Sequence, residues 1–217
     1  RKENDKLNPL TAYARSKIAA EKGLAGLAND NFVVTCLRFA TACGMSARLR
    51  LDLVVNDFVA IAIASNKIEM LSDGAPWRPL IHVKDMARAI DWGVSRDVDN
   101  GGSFLAVNAG SDEWNYQVKE LAACVAKIIP GVKISINKDA TPDKRSYRVD
   151  FSKFRGLAPK YQPQVNLENT IRGLKEGLEA MNFKNSDFRN SEFMRLKVLT
   201  GFRERNRINE NLKWVLD

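Results

Sequence analysis

The stretch TAYARSKIAAEKGLAGLANDNFVVTCLRF, residues 11–39, decides how the chain is read. Its first part spaces apolar residues as an amphipathic helix over about 11–28, and after the polar Asn29, Asp30 and Asn31 the run FVVTCLRF (32–39) has the content of a strand. The alternation recurs downstream. A helical pattern near 53–65 precedes KIEML (67–71), and the turn-like SDGAPWRP (72–79) precedes LIHV, where Asp85 stands in position to cap a helix running to about Gly93. SFLAVNAG (103–110), a helix near 115–129 and VKISI (132–136) continue the series. This rhythm predicts an α/β fold with mostly parallel strands. From about 166 strands cease, and LENTIRGLKEGLEAM and SEFMRLKVL predict a helical tail interrupted by the polar NFKNSDFRN.

Composition narrows the function classes. With 217 residues, 45% of them hydrophobic, the chain can bury a sizeable core. The formal charge of +8 suits an anionic partner, yet the basic segment RLKVLTGFRERNR near the C-terminus is flanked by Glu192 and Glu210 and contains Glu204. No nucleic-acid-reading motif accompanies it, so nucleic acid is not the expected partner. Cys36, Cys43 and Cys124 lack CxxC or histidine spacing, which points away from a disulfide framework or zinc site and toward a reducing, cytoplasmic setting. No run approaches the ~18 apolar residues of a membrane span. The polar opening RKENDKLNPL reads as a lead-in rather than a domain start, so a fragment of a longer protein is expected.

One lysine poses a question. At about 100° per residue, Lys17, Ala20, Leu24 and Leu27 fall within about 40° of Tyr13, so Tyr13 and Lys17 are expected to head the inward, apolar stripe of the first helix. Burying an ammonium without partners costs several kcal/mol. Such a lysine either snorkels from the first turns or has polar company. In the second case an ammonium beside a phenol makes a proton-transfer pair, because it favours the phenolate. The spacing alone leaves both readings open.

Several ordered segments bear on the choice. NPLTAYARSKIAAEKGL, VVTCLRFATACG, RPLIHVKDMARAI, FLAVNAG and DKRSYRVDFSK together resemble the extended short-chain dehydrogenase/reductase family, the nucleotide-sugar epimerases and dehydratases, over roughly residues 8–155. The resemblance implies an acid/base role for Tyr13 and a nicotinamide-ribose contact for Lys17, with Tyr13, Lys17 and Ala40 touching NAD or NADP. It implies Arg78 and Arg145 on the nucleotide phosphates, Arg148 competing for the second place. Thr41, where many relatives carry asparagine, and Asn56 are the remaining candidates for substrate contact. His82, the one histidine, is expected to pack rather than catalyse, and Asp85 to cap a helix.

The implied architecture is the C-terminal part of a Rossmann-like parallel sheet with a smaller mixed α/β substrate lobe and a helical tail. Residues 1–50 would be the downstream part of the dinucleotide-binding domain, 51–165 mostly the substrate-binding lobe with 80–110 returning to the cofactor sheet, and 166–217 a helical extension. The implied partners are a nucleotide-diphosphate sugar and a second copy in the full-length protein. No metal is implied. The glycine-rich cofactor turn and the Ser/Thr of such a site belong upstream of Tyr13 and are not found here, so this piece is expected to be inactive alone. A non-catalytic scaffold is the alternative.

Overall fold

The computed structural model describes residues 1–137 and 146–215. Helix α1 (Ala12–Ala25) leads into strand β1 (Val34–Phe39) and the short β2 (Thr41–Cys43). Then follow α2 (Val54–Ser65), β3 (Lys67–Met70), β4 (Trp77–His82), α3 (Val83–Ser95) and β5 (Phe104–Ala109). β6 (Asn115–Gln117), α4 (Val118–Ile128) and β7 (Lys133–Ile136) complete the α/β part, and α5 (Ser152–Leu157), α6 (Leu167–Ala180) and α7 (Arg195–Glu204) form the tail.

Among the described residues four strand pairings, in three sheets, organise these elements. β1 runs parallel to β5, with Val34 opposite Phe104 and Phe39 opposite Ala109. β2 runs parallel to β4, whose other side pairs antiparallel with β6. β3 runs parallel to β7, Lys67 opposite Lys133. FVVTCLRF thus pairs with FLAVNAG, and KIEML with VKISI. The three-residue β2 and β6 lie in stretches read as turn and helix. Arg78, read as part of a turn, sits within β4 opposite Tyr116.

The main core gathers around α2, where Val55 and Val59 meet Leu121 and Val125 of α4 and Ile171 and Leu174 of α6, all of them fully buried. A second cluster joins Trp92 of α3, Val107 of β5 and Phe154 of α5, with Trp92 and Phe154 edge to face at 5.4 Å. Burying one such aromatic or branched side chain stabilises by about 1.5–3 kcal/mol, so these contacts outweigh any surface ion pair in the fold.

Two polar side chains join elements across the sequence. Arg96, 8% exposed at the end of α3, donates to the carbonyls of Val34, Asn100 and Gly102 and to Thr35 Oγ1. Its charge is shared among oxygens rather than met by a carboxylate. Asp85, 1% exposed, accepts the backbone N–H groups of Gln164 and Val165 at 3.0 and 3.1 Å and so ties the tail to α3. This corrects the expectation of a cap. The N-cap is His82, whose Nδ1 accepts from Lys84 N at 3.1 Å, while Asp85 lies a turn further in, facing the chain before α6.

α1 requires a second correction. It buries no residue, and its half-buried positions are Ala14, Ile18 and Glu21, one residue around from the predicted stripe. Tyr13 is 71% exposed and Leu27 61%. Both faces carry alanine and aliphatic residues, so hydrophobicity barely separates them. The decisive contact is polar: Arg38 of β1 donates through Nε and Nη2 to the two carboxylate oxygens of Glu21, at 2.9 and 2.5 Å. That bidentate pair turns the Glu21 face toward β1 and leaves Tyr13 and Lys17 facing outward.

His82 makes the fold pH-sensitive in a defined sense. Burial holds its imidazole below the ordinary 6.5, with Asp85 opposing and Lys84 assisting, and a proton on Nδ1 would remove the acceptor that caps α3. A folded-state value below the unfolded one means that stability is full above pH 6.5 and declines as pH falls below it. Thermal unfolding midpoints between pH 7.5 and 5.5, as trial settings of about this range, should fall with pH, and His82→Asn should flatten that fall. An equal slope in the variant would refute the assignment.

Candidate active site

The candidate site begins at α1. Thr11 accepts from Ala14 N at 3.1 Å and starts the helix, so Tyr13 and Lys17 occupy its first turns. Their i, i+4 spacing puts both on one face, with Lys17 Nζ 5.5 Å from the centre of the Tyr13 ring. Among the described residues Lys17 has no ion-pair partner. The face thus offers a phenol hydroxyl and an unpaired ammonium, a donor set that suits the hydroxyls of a ribose or sugar.

From the end of β1 the chain passes through Ala40 into β2 and then a tight loop. Ala40 donates its N–H to Ala109 O at 3.3 Å and is packed with Ile81 and Phe151. Its methyl therefore faces core, and only its backbone lies at the strand end where a cofactor contact was expected. Gly44 follows at φ +102°, and a Cβ there would lie 2.3 Å from His82 Nε2, so only glycine fits. Asn56, 2% exposed on α2, accepts from Gly44 N at 3.0 Å and donates to Arg50 O at 2.8 Å. It does not line the cavity described next. Expected to contact substrate, Asn56 instead spends its amide on both ends of the 44–50 loop, because that buried backbone needs partners.

Beyond the loop lies a cavity of about 530 Å³. Thr41 and Arg78 both line it. Arg78 Nη1 donates to Trp77 O at 2.8 Å. Trp77 in turn carries the Arg148 guanidinium 4.7 Å from its ring and donates its N–H to Ser146 Oγ, which brings Tyr147 to the cavity rim. Arg145 lies outside the described residues.

Sequence reasoning missed the cavity's acidic members and one cation. Asp52, Asp57, Glu69 and Arg189 all line it. Arg50 donates to Asp52 through Nε and Nη2 at 3.0 and 2.5 Å, and this pairing holds the Asp52 carboxyl below its usual range. The Arg50 guanidinium is shifted upward chiefly by Asp52, with a smaller contribution from Tyr13. Arg50 and Asp52 thus form a charged pair at the cavity wall, Asp52 lining it. Their signal was the short spacing in ARLRLDL; Arg189, 132 residues from its partner Asp57, gave none. Cys43 is no nucleophile candidate, since burial pushes its thiol up to about 12. Among the described residues no group of three His, Cys, Asp or Glu could hold a metal, and no helix is long and apolar enough to cross a membrane.

Parallel strands with intervening helices define a Rossmann-like α/β protein. The model of the NAD dependent epimerase/dehydratase family matches residues 1–110, and the chain belongs to that family. Among solved structures it is similar to MoeE5 in complex with UDP-glucose and NAD, at 24% identity and TM-score 0.66, over 83% of this chain and 59% of that one. The NAD-dependent NDP-hexosamine 5,6-dehydratase TunA is similar at 19% identity and TM-score 0.68, over 86% and 59%. The dTDP-glucose 4,6-dehydratase of Bacillus anthracis, in complex with NAD, is similar at 19% and 0.69, over 83% and 56%. At these identities the likeness is one of fold. The chain spans 56–59% of the length of these structures.

Asn56→Ala should cost about 1–3 kcal/mol, since two buried backbone groups lose their partner. Urea unfolding measures it. An unchanged midpoint would show that the 44–50 loop is held by other means.

Proposed function

We propose that this protein is an NAD-dependent epimerase or dehydratase acting on a nucleotide-diphosphate sugar, with Tyr13 as acid/base and Lys17 as its partner. The observation that carries this reading is the outward-facing Tyr13–Lys17 pair, 5.5 Å from ring to ammonium, in a chain whose cavity brings Thr41 and Arg78 together. Family membership supports it, and so do neighbours bound to UDP-glucose and NAD. The outward orientation fits a cofactor better than burial would. An ammonium among apolar side chains would need compensation, whereas one on an open face can donate to ribose hydroxyls.

When bound, the nicotinamide supplies the hydride acceptor and donor. Lys17 would hold the ribose and, by its charge, favour negative charge on the Tyr13 oxygen while the proton is away. Tyr13 would take the proton from a sugar hydroxyl and return it to a carbonyl oxygen. The planar donors of Arg78 match a diphosphate, as those of Arg145 would, and the Thr41 hydroxyl faces the sugar. Ala40 contributes backbone only.

Conversion of a panel of nucleotide sugars by the full-length protein in the presence of NAD tests the reading. Tyr13→Phe should lower kcat by about 10²–10⁴-fold with cofactor binding kept, and Lys17→Met should weaken cofactor binding. Wild-type turnover by Tyr13→Phe would sink the assignment, and cofactor binding with no conversion of any sugar nucleotide would make the protein a scaffold.

A further inference from the structure

The polar opening, residues 1–5, is fastened to both strands of the β1–β5 pair and to the chain around Asp150. The backbone carbonyl of Glu3 accepts from Arg38 Nη1 at 2.9 Å, and its carboxylate accepts from the backbone N–H of Asn108 at 2.9 Å. Arg38 and Asn108 are register partners on β1 and β5, so a single residue is tied to both strands at one level of the pair. Ahead of Glu3, the Arg1 carbonyl accepts from Asp150 N at 2.9 Å, and Lys2 Nζ lies 3.6 Å from the Asp150 carboxylate. Asn108 returns to the same place, its Nδ2 donating to Asp150 O at 3.3 Å.

The Glu3 contacts are specific. Asn108 is 8% exposed, and a peptide N–H in such a place needs an acceptor, which the Glu3 carboxylate supplies. The Arg38 guanidinium spends Nε and Nη2 on Glu21 of α1 and Nη1 on Glu3, so one planar group grips both the helix and the chain that leads into it. Tyr13 and Lys17 lie in the sequence between these two anchor points. α1 buries no residue, so packing alone does not fix its first turn, and helix ends fray unless they are tied down. Tyr13 stands in that first turn, and Glu3 is the anchor on its upstream side.

We propose that Glu3 is a positioning residue for the reaction: it fastens the chain ahead of α1 to β1 and β5 and so holds the first turn of the helix, and the Tyr13 hydroxyl with it, in one place. The inference rests on the acid/base reading of Tyr13 above. Placement matters because a shift of about 1 Å in a reacting group costs up to about 10²-fold in rate.

Amide hydrogen exchange and kinetics of the full-length protein test it. In Glu3→Ala the amides of α1 should exchange about fivefold faster, as for one lost hydrogen bond. With a nucleotide sugar and NAD, kcat should fall about tenfold while KM changes less than about twofold. Glu3→Gln keeps a side-chain oxygen for Asn108 N and should recover both. In a Tyr13→Phe background Glu3→Ala should lower kcat no further, because the group it places is gone. Unchanged α1 exchange or unchanged kcat in Glu3→Ala, a loss carried by KM, or a loss that multiplies with that of Tyr13→Phe would each overturn the role of Glu3. If Glu3→Ala speeds α1 exchange but the wild-type protein converts no nucleotide sugar, Glu3 is a helix anchor only, and the acid/base reading falls together with the positioning role.

Discussion

The buried amide of Asn56 is the constraint on which the site depends. It takes the N–H of Gly44 and gives a proton to the carbonyl of Arg50, closing a loop whose first residue passes against His82 too closely for any side chain. The charged residues that leave the loop depend on that closure. Thr41 enters the loop, Arg50 and Asp52 leave it, and α2 begins directly after with Asp57 one residue beyond Asn56. Each hydrogen bond is worth only about 1 kcal/mol net, but leaving the buried groups unpaired would cost more, so the loop has one stable path.

The Tyr13–Lys17 pair is held differently. An exposed cation near a ring contributes about 0.5–1 kcal/mol, too little to orient a helix. Its geometry comes from the helix itself, four residues apart on one face, and the orientation of that helix comes from Glu21 gripping Arg38 on β1. One ion pair therefore decides which face of α1 meets the sheet and which is left exposed. Its bidentate geometry and partial shielding make it stronger than an ordinary surface pair.

The tail helps to build the cavity wall. Asp85 on α3 receives two backbone N–H groups ahead of α6, α6 packs its apolar side on α2, and the buried Phe188 follows. A segment that is helical by pattern alone thus returns to the cavity wall. Arg78 comes from β4, Tyr147 from the chain beyond β7 and Arg189 from the tail, so the cavity exists only when all three are docked.

Periodicity carried the reading of the long elements, since β1, β3, β5, β7 and the helices α1, α2, α4 and α6 each repeat apolar residues at a local spacing that one window reveals. The residues Tyr13, Lys17, Thr41 and Arg78 stood out by motif, which is also local. The very short β2 and β6 were not legible, because three residues carry no period and exist through their partner β4. Nor was the facing of α1, where two stripes were nearly equal in hydrophobicity and a carboxylate 17 residues from its arginine chose between them. Asn56 as a loop clasp, Asp85 as a tether and Arg189 as a cavity residue were decided by contacts up to 132 residues apart. Local chemistry determines which element forms; which polar group each element turns inward depends on partners that only the folded chain brings within reach.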